Sequence, residues 1–300
     1  MWPTDRPVGL AVSGGPDSLA LLLLAHRAIP GRFAVATVDH RLRPESAAEA
    51  AQVAQVCTQR GIAHETLSIT VPAGNTQAMA RQARYAALAD WARRHDLKAV
   101  VTAHHSDDQA ETLLMRLMRG AGLRGLASMR EASQLPGAPD VVLLRPLLDW
   151  RRQALADVVA AEGLQAAQDP SNTDPRYARP ALRAALASAP WLDPEMLAAS
   201  AAHLADAEDA LAWAAAREWD ECVILDGDGA LYSPAAPRAV RLRVVERIIA
   251  AMASEGLPRG SEIARLVDSL DRGEIATLAG VRAQSGDGVW RFVAAPPRRT

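Results

Sequence analysis

The 300-residue chain contains only two cysteines, Cys57 and Cys222, far apart in sequence and each in a helix-like context. Neither a disulfide framework nor a Cys-x-x-Cys metal site is available to it, and both residues read as packing groups. Lysine is almost missing: Lys98 is the only one, and arginine carries the remaining positive charge. With the abundance of alanine this looks like a coding bias, so arginine clusters are weaker binding signals than usual. The net charge of −2 gives no global sign of a nucleic-acid partner and leaves only a local basic face open. No apolar run reaches the roughly 20 residues of a membrane span. The N-terminus MWPTDRP lacks the charged-then-apolar layout of a signal peptide, so a cytoplasmic location without membrane contact is expected. What is plentiful is apolar residue, 49%, enough for a sizeable core and, at this length, for two domains.

Apolar, β-branched runs at 7–12, 33–39, 64–69, 98–103 and 140–147 read as strands. Helical periodicity fills 17–29, 45–60, 75–95 and 107–119 between them, and 150–162 after the last. This alternation predicts an α/β fold, a doubly wound parallel sheet of Rossmann-like type, over residues 1–187. Ligands of such sheets lie beyond the carboxyl ends of the strands. After about 187 the texture changes: a long Ala-rich helix over 194–221, a hairpin around Asp226-Gly227, helices near 237–252 and 260–270, and a last strand pair around SGDG. Residues 188–300 are expected to form a smaller α+β domain, with no internal repeat and no chemistry of its own.

The first strand runs into SGGPDS. Gly14 and Gly15 permit a tight turn and close ligand approach, and the helix beginning near Asp17 aims its unpaired N–H groups at the same space. An anion is expected there. Ser13 and Ser18 add hydroxyls, Pro16 opens the helix, and Asp17 can cap it or hold a metal that bridges phosphates. An ordinary strand-to-helix turn accounts for the same letters. The loop has no lysine at the Walker position, which argues against γ-phosphoryl transfer of the kinase or GTPase kind.

The fourth strand runs into HHSDDQAETLLMRLMRGAGLRGL. His104, Asp108 and Glu111 are spaced i, i+4, i+7 and share a face if the helix starts early. Acidic groups beside a polyphosphate call for Mg²⁺, with Asp17 and Asp108 as its ligands. A capping box at Asp107 or Asp108 with Glu111 is the plainer alternative. Arg116, Arg119 and Arg124, interleaved with glycines, suit a phosphate backbone or an anionic intermediate, and equally a solvated face. In VDHRLRPES, Val38 and His40 are placed to meet an adenosine, with Asp39 beside them, although a strand-end turn explains them almost as well. Arg81 and Arg84 lie in ARQARY, Arg145 in RPLLDW, and Arg179 and Arg183 one helical turn apart after DPSN.

The loop resembles the pyrophosphate-binding loop of the N-type ATP pyrophosphatases, whose fold is that of the adenine nucleotide alpha hydrolases. SGGPDS, VDHRLRPES, ARQARY, HHSDDQAET with RLMRGAGLRGL, RPLL and the DPSN segment together resemble, in order and spacing, the tRNA(Ile)-lysidine synthases over about residues 7–185. The later IARLVDSL to SGDGVW stretch is similar only weakly. The resemblance implies ATP and Mg²⁺, free L-lysine, and a tRNA(Ile) with a CAU anticodon. In that reaction ATP adenylates the C2 oxygen of the wobble cytidine, releasing pyrophosphate, and the lysine amine then attacks C2 and expels AMP. It further implies catalytic roles for Asp17, Asp39, His104, Asp108, Glu111 and Arg116, with Asp39, Asp108 and Glu111 unranked as handler of the lysine amine. Arg81, Arg84, Arg119, Arg124, Arg145, Arg179 and Arg183 are expected to face substrate or tRNA, aided by the small C-terminal domain. A homodimer is compatible with all of this.

Two departures stand out. Family members often carry Arg-Asn before the final arginine after DPSN, whereas Pro180 follows Arg179 here, leaving the role of Arg179 open. The further domain of longer members is absent from the sequence, so tRNA selection is expected to rest on less protein. Rival readings share the loop. The tRNA thiolases need cysteine nucleophiles or cysteine-bound clusters, amide-forming GMP or NAD synthetases usually lack the HHSDDQAET run, and a non-catalytic ATP sensor needs no acids at the second strand end.

Overall fold

The structure, a computed structural model, describes residues 7–41, 45–70, 76–167, 176, 178–227, 229–254 and 256–296. The DPSN segment and residues 42–44 of VDHRLRPES lie outside the described residues. Contacts divide the chain into Met1–Ala205 and Asp206–Thr300. The expected 187/188 boundary coincides with the end of helix α7 (Ala178–Ala187), and the turn after it groups with the first unit.

In the first unit the strands are β1 (Val8–Ala11), β2 (Phe33–Asp39), β3 (His64–Ser68), β4 (Ala99–Val101), β5 (Ala132–Leu135) and β6 (Ala138–Leu144). They form one sheet in the order β3-β2-β1-β4-β6-β5. All pairings are parallel except β5 with β6, so the doubly wound sheet carries one antiparallel edge that the sequence reading did not include. β5 is four residues long with only Leu135 buried, too short and too polar to register as a strand.

The helices are α1 (Pro16–Ala28), α2 (Glu45–Gln59), α3 (Thr76–Arg94), α4 (Ser106–Leu117), the single turn α5 (Leu123–Leu126), α6 (Arg152–Ala161) and α7. α1 is apolar nearly all round. Its Leu19, Leu21, Leu22 and Leu23 are buried in one cluster with Val8 and Leu10 of β1, Val12 just after it, Val53 and Val56 of α2, and Leu155 and Val159 of α6. On the other face, Leu88 and Trp91 of α3 pack with Val100, Val141 and Leu143. Gly9 makes that close approach possible, since a Cβ there would run into the Trp91 ring. Burial of such side chains is worth about 1.5–3 kcal/mol each.

Strand order reverses at β1, flanked by β2 and β4, which is the topological switch point where ligands of open α/β sheets bind. SGGPDS leaves the end of β1 and HHSDD leaves the end of β4. Helix α8 (Pro194–Cys222) follows α7 and continues across the contact boundary.

The second unit has an antiparallel sheet, β7 (Val223–Asp226), β8 (Gly229–Tyr232), β9 (Ile275–Leu278), β10 (Val281–Gly286) and β11 (Val289–Ala294), in the order β7-β8-β11-β10-β9. α9 (Arg238–Met252) and α10 (Gly260–Asp271) bury Val244, Ile248, Leu266 and Leu270 with Trp290 and Phe292 of the sheet. This is the expected α+β unit, enlarged by β9.

Candidate functional site

The phosphate loop is built from its own side chains. Gly14 has φ +89, a left-handed conformation that an L side chain resists, and Gly15 caps α1 with Pro16 in the first turn. The Ser18 hydroxyl donates to the Gly15 carbonyl at 3.0 Å and accepts the Ser13 N–H at 3.1 Å. The Ala167 N–H donates to the Gly14 carbonyl at 2.9 Å, so the chain after α6 fastens the turn. Ser18 thus shapes the loop from within, beside the N-terminus of α1.

Beside the loop a cavity of about 250 Å³ opens between the ends of β1 and β2. Val12, Ser13, Val38, His40 and Arg84 are among its lining residues, which joins the residues expected to meet an adenosine to the loop expected to meet its phosphates. Burial, then the nearby Arg84 charge, pushes the His40 pKa down, so its ring is neutral, and Nδ1 is buried without a hydrogen-bond partner. Asp39 is placed differently. Its Oδ1 accepts the Ser46 hydroxyl at 2.7 Å and the Arg41 N–H at 2.9 Å, bonds that lower its pKa and fasten the turn toward α2.

At the end of β4 the two histidines part. α4 begins at Ser106 with His105 as N-cap, so His104 precedes the helix and does not share a face with Asp108 and Glu111 as the i, i+4, i+7 spacing implied. The Nδ1 of His104 lies 2.9 Å from the Thr102 hydroxyl. Burial and the charges of Arg145, Arg84, Arg81 and Arg179 depress its pKa to about 3. Four of the seven arginines expected to face substrate therefore gather around one neutral imidazole. Arg81 also lies over the Tyr85 ring, 5.0 Å from its centroid. Arg145 is buried, with one NH group donating to the Arg130 carbonyl at 2.7 Å and its Nε without a partner.

His105, which the sequence reading passed over, is fully buried among carboxylates. Its Nε2 lies 3.5 Å from both Asp17 and Asp108, and its Nδ1 lies 3.6 Å from Asp107. These are ion-pair distances, too long for good hydrogen bonds. Burial disfavours the charged ring, but the carboxylates of Asp107, Asp17 and Asp108 outweigh it and raise the pKa to about 9. An imidazolium thus links the first turn of α1 to that of α4. The signal available in sequence was the pair of adjacent histidines before two aspartates, which does not say which ring turns inward.

The acids of α4 divide by task. Asp107 accepts the Arg152 N–H at 2.9 Å and tethers the start of α6. Asp108 accepts the His105 N–H at 3.3 Å and lies 3.5 Å from Arg183. Glu111, 1% exposed, is held by Arg183 of α7 through both guanidinium nitrogens Nε and NH2. Arg183 therefore faces the acids of α4, and Pro180 falls in the first turn of the helix that carries it. Arg116 donates to the Gly125 carbonyl at 2.5 Å, tying down the loop that carries the exposed Arg119 and Arg124. A second cavity of about 530 Å³ is lined by Asp107, Glu111, Arg151, Arg152 and Arg183 together with Leu186 and Pro190.

Asp17 presents a buried oxygen, Oδ1, with no hydrogen-bond partner, at the mouth of the phosphate loop. Such an oxygen fits a hard cation that takes its remaining ligands from phosphates and water. Among the described residues no group of three or more His, Cys, Asp or Glu is arranged to hold a metal ion by itself. Cys57 lies in the core with its thiol pushed up to about 11 by burial, wrong for a nucleophile, and Cys222 belongs to the second unit.

The PP-loop domain profile matches residues 3–189. The chain is 52% identical to the tRNA(Ile)-lysidine synthase of Novosphingobium aromaticivorans, over all of this chain and 93% of that one. It is 41% identical to that of Zymomonas mobilis, over 99% and 91%. Among solved structures, the U34-tRNA thiolase NcsA from Methanococcus maripaludis, with its [4Fe-4S] cluster, superposes with a TM-score of 0.55 over 67% of this chain and 73% of that one. At 14% identity this likeness speaks for the fold alone. Among the described residues no helix is long and apolar enough to cross a membrane.

Proposed function

The chain belongs to the tRNA(Ile)-lysidine synthase family of PP-loop proteins, and from that membership we propose that it converts the wobble cytidine of a CAU-anticodon isoleucine tRNA to lysidine. It is a ligase that forms a carbon–nitrogen bond and converts ATP to AMP and pyrophosphate. The observation that carries the reading is the full-length 52% identity, joined to a phosphate loop and an acidic helix start at one switch point.

The adenosine end of ATP fits the cavity of Val38 and His40, which leaves the phosphates over the N-terminus of α1. The C2 oxygen of cytidine attacks the α-phosphorus and pyrophosphate departs. The lysine amine then forms its bond to C2 as the bond to the AMP oxygen breaks, and the amine gives up its protons. Mg²⁺ would be held by Asp17, with Asp108 near it, and when bound would neutralise the leaving pyrophosphate. The loop backbone and the α1 dipole orient that pyrophosphate, and the arginines around His104 favour the negative charge of the phosphate on the base.

Of the three acids considered for the amine, Asp39 is committed to its turn and Glu111 to Arg183. Asp108 keeps the loosest contacts and is assigned to orient the ammonium and accept its proton. The expected setting is the cytoplasm, with free lysine and tRNA as partners. Purified protein, ATP and labelled lysine should label a CAU transcript and leave unlabelled one whose wobble cytidine is replaced by uridine. Equal labelling of both, or of neither while ATP is bound, overturns the reading.

A further inference from the structure

The sheet parts the site into two faces. Along β4 and the residues that continue it, Val100, Thr102 and His104 alternate with Val101, Ala103 and His105. Val100 packs with α3, whereas Val101 and Ala103 pack with α1, so His104 belongs to the α3 face and His105 to the other. Leu143 lies in the α3 cluster too, and Arg145, two residues on, follows it to the same face. Ala11 of that cluster and Arg84 of α3 line the adenosine cavity. The carboxylates of Asp17 and Asp108 gather instead around His105, at the starts of α1 and α4.

Two groups on the α3 face are unfinished. Arg145, 7% exposed, gives one NH group to the Arg130 carbonyl at 2.7 Å and the Ser133 hydroxyl at 3.1 Å, both neutral acceptors. Among the described residues no carboxylate pairs with it and its Nε has no partner, so a buried cation stands uncompensated. The other group is His104, whose Nδ1 lies 2.9 Å from the Thr102 hydroxyl. Thr102 is buried, and among the described residues its hydroxyl has no other partner. A buried O–H proton needs an acceptor, and Nδ1 is the one within reach. Nδ1 therefore accepts, which puts the ring proton on Nε2. That Nε2–H has no partner among the described residues and is open to solvent. Burial, and then the Arg145 charge, keeps the ring neutral.

We infer that Thr102 is a positioning residue that fixes His104 as its Nε2–H tautomer, and that His104 and Arg145 together hold the α-phosphate of ATP on the α3 face while pyrophosphate leaves on the α1 face. The inference rests on the proposed reaction, in which this phosphate stays on the enzyme from ATP to adenylated base to AMP. An α-phosphate oxygen supplies both the anion that Arg145 lacks and the acceptor that Nε2–H lacks. No proton leaves the ring. Nε2–H hydrogen-bonds a nonbridging oxygen as the C2 oxygen bonds the α-phosphorus and the electron pair of the broken bond departs with pyrophosphate. A neutral imidazole donates here without adding a further cation to the arginines, in a direction set by Thr102.

Thr102→Val removes the hydroxyl at nearly constant shape. In the full chain it is expected to lower kcat about tenfold with the KM for RNA within about twofold, a fraction of what one lost donor costs. Thr102→Ser, which keeps the hydroxyl, should return most of the rate. Histidine side-chain 15N NMR, with the His104 signal identified by its loss in His104→Phe, should show Nε2 protonated in wild type and a mixture of tautomers in Thr102→Val. A wild-type Nδ1–H tautomer, an unchanged kcat in Thr102→Val, or a Thr102→Ser no faster than Thr102→Val overturns the inference. Titration with AMP and with adenosine reads the contact without turnover. His104→Phe and Arg145→Met should each weaken AMP about tenfold and adenosine less than about twofold, in the range of one charge-assisted hydrogen bond. Equal weakening of both ligands, or of neither, overturns it, as does a KM for RNA that rises with kcat unchanged. Wild-type protein that incorporates no lysine yet shows this preference for AMP faults the proposed reaction and leaves the α-phosphate contact standing.

Discussion

Two groups of buried acids in this molecule have opposite designs. In the second unit Glu218 is buried and accepts three donors at one oxygen: the Tyr232 hydroxyl at 2.9 Å, Ala235 N–H at 2.9 Å and Ala236 N–H at 3.0 Å. Burial works against its charge, but those backbone and hydroxyl donors prevail and lower its pKa. In the first unit Asp17 leaves one oxygen without a partner, and Asp108 is held by contacts of 3.3–3.5 Å around His105 and Arg183. Glu218 is complete as it stands and locks the end of α8 to the hairpin beyond it. Of the acids at the switch point, Asp17 and Asp108 keep bonding capacity unused by the fold, which is the arrangement expected where stability has been given up for chemistry.

Substitutions sharpen the contrast. The largest effect is expected from Asp17→Asn, which should lower lysine incorporation by about 10²–10³-fold, the range for one group that stabilises transferred charge, while the protein stays folded by circular dichroism. Activity within twofold of wild type would remove Asp17 from the site. Glu218→Ala should do the reverse, costing about 2–4 kcal/mol by stranding buried donors and leaving the KM for ATP unaltered; a denaturation curve matching wild type would refute the structural assignment.

His105→Ala should fall between them, with a loss of about tenfold or more in kcat as the two helix starts lose their common partner. His105→Asn, which keeps a cap for α4, should recover part of that loss. Equal kcat in all three proteins would reduce His105 to a packing residue. The smallest effect concerns pH. The His104 pKa is depressed, so the unfolded chain binds the extra proton first. Its contribution to stability is full above the ordinary value near 6.5 and declines as pH falls toward about 3. His104→Asn should therefore lose less stability than wild type between pH 7 and pH 5, and identical losses would contradict the depressed value.

The same contrast explains what could be read from the sequence. SGGPDS, its glycines and the strand before it are local features, and their role in a strand-to-helix turn at the sheet edge followed from spacing alone. The alternation was legible because the parallel strands are buried apolar runs, down to the three buried residues of β4, and the helices between them are long enough to show their period. β5 and β9 were not, since four residues with little burial carry no pattern apart from the strands they pair with. The site followed the same rule. Asp108 and Glu111 were visible as acids on one helix, but the partner of Glu111 is Arg183, 72 residues away, and that pairing is set by the packing of α7 on α4. His104 and His105 are adjacent letters with opposite charge states, about 3 against about 9, because one faces arginines and the other faces aspartates. No local pattern distinguishes them.

The central claim is that the loop at β1 holds departing pyrophosphate while a base of tRNA is joined to lysine. Mass spectrometry of a CAU isoleucine-tRNA transcript after incubation with protein, ATP and lysine tests it most directly. The account predicts that one nucleotide, the wobble cytidine, gains the mass of one lysine less one water, with AMP and pyrophosphate formed in equal amount. RNA of unchanged mass, or ATP converted to ADP and phosphate, would contradict it.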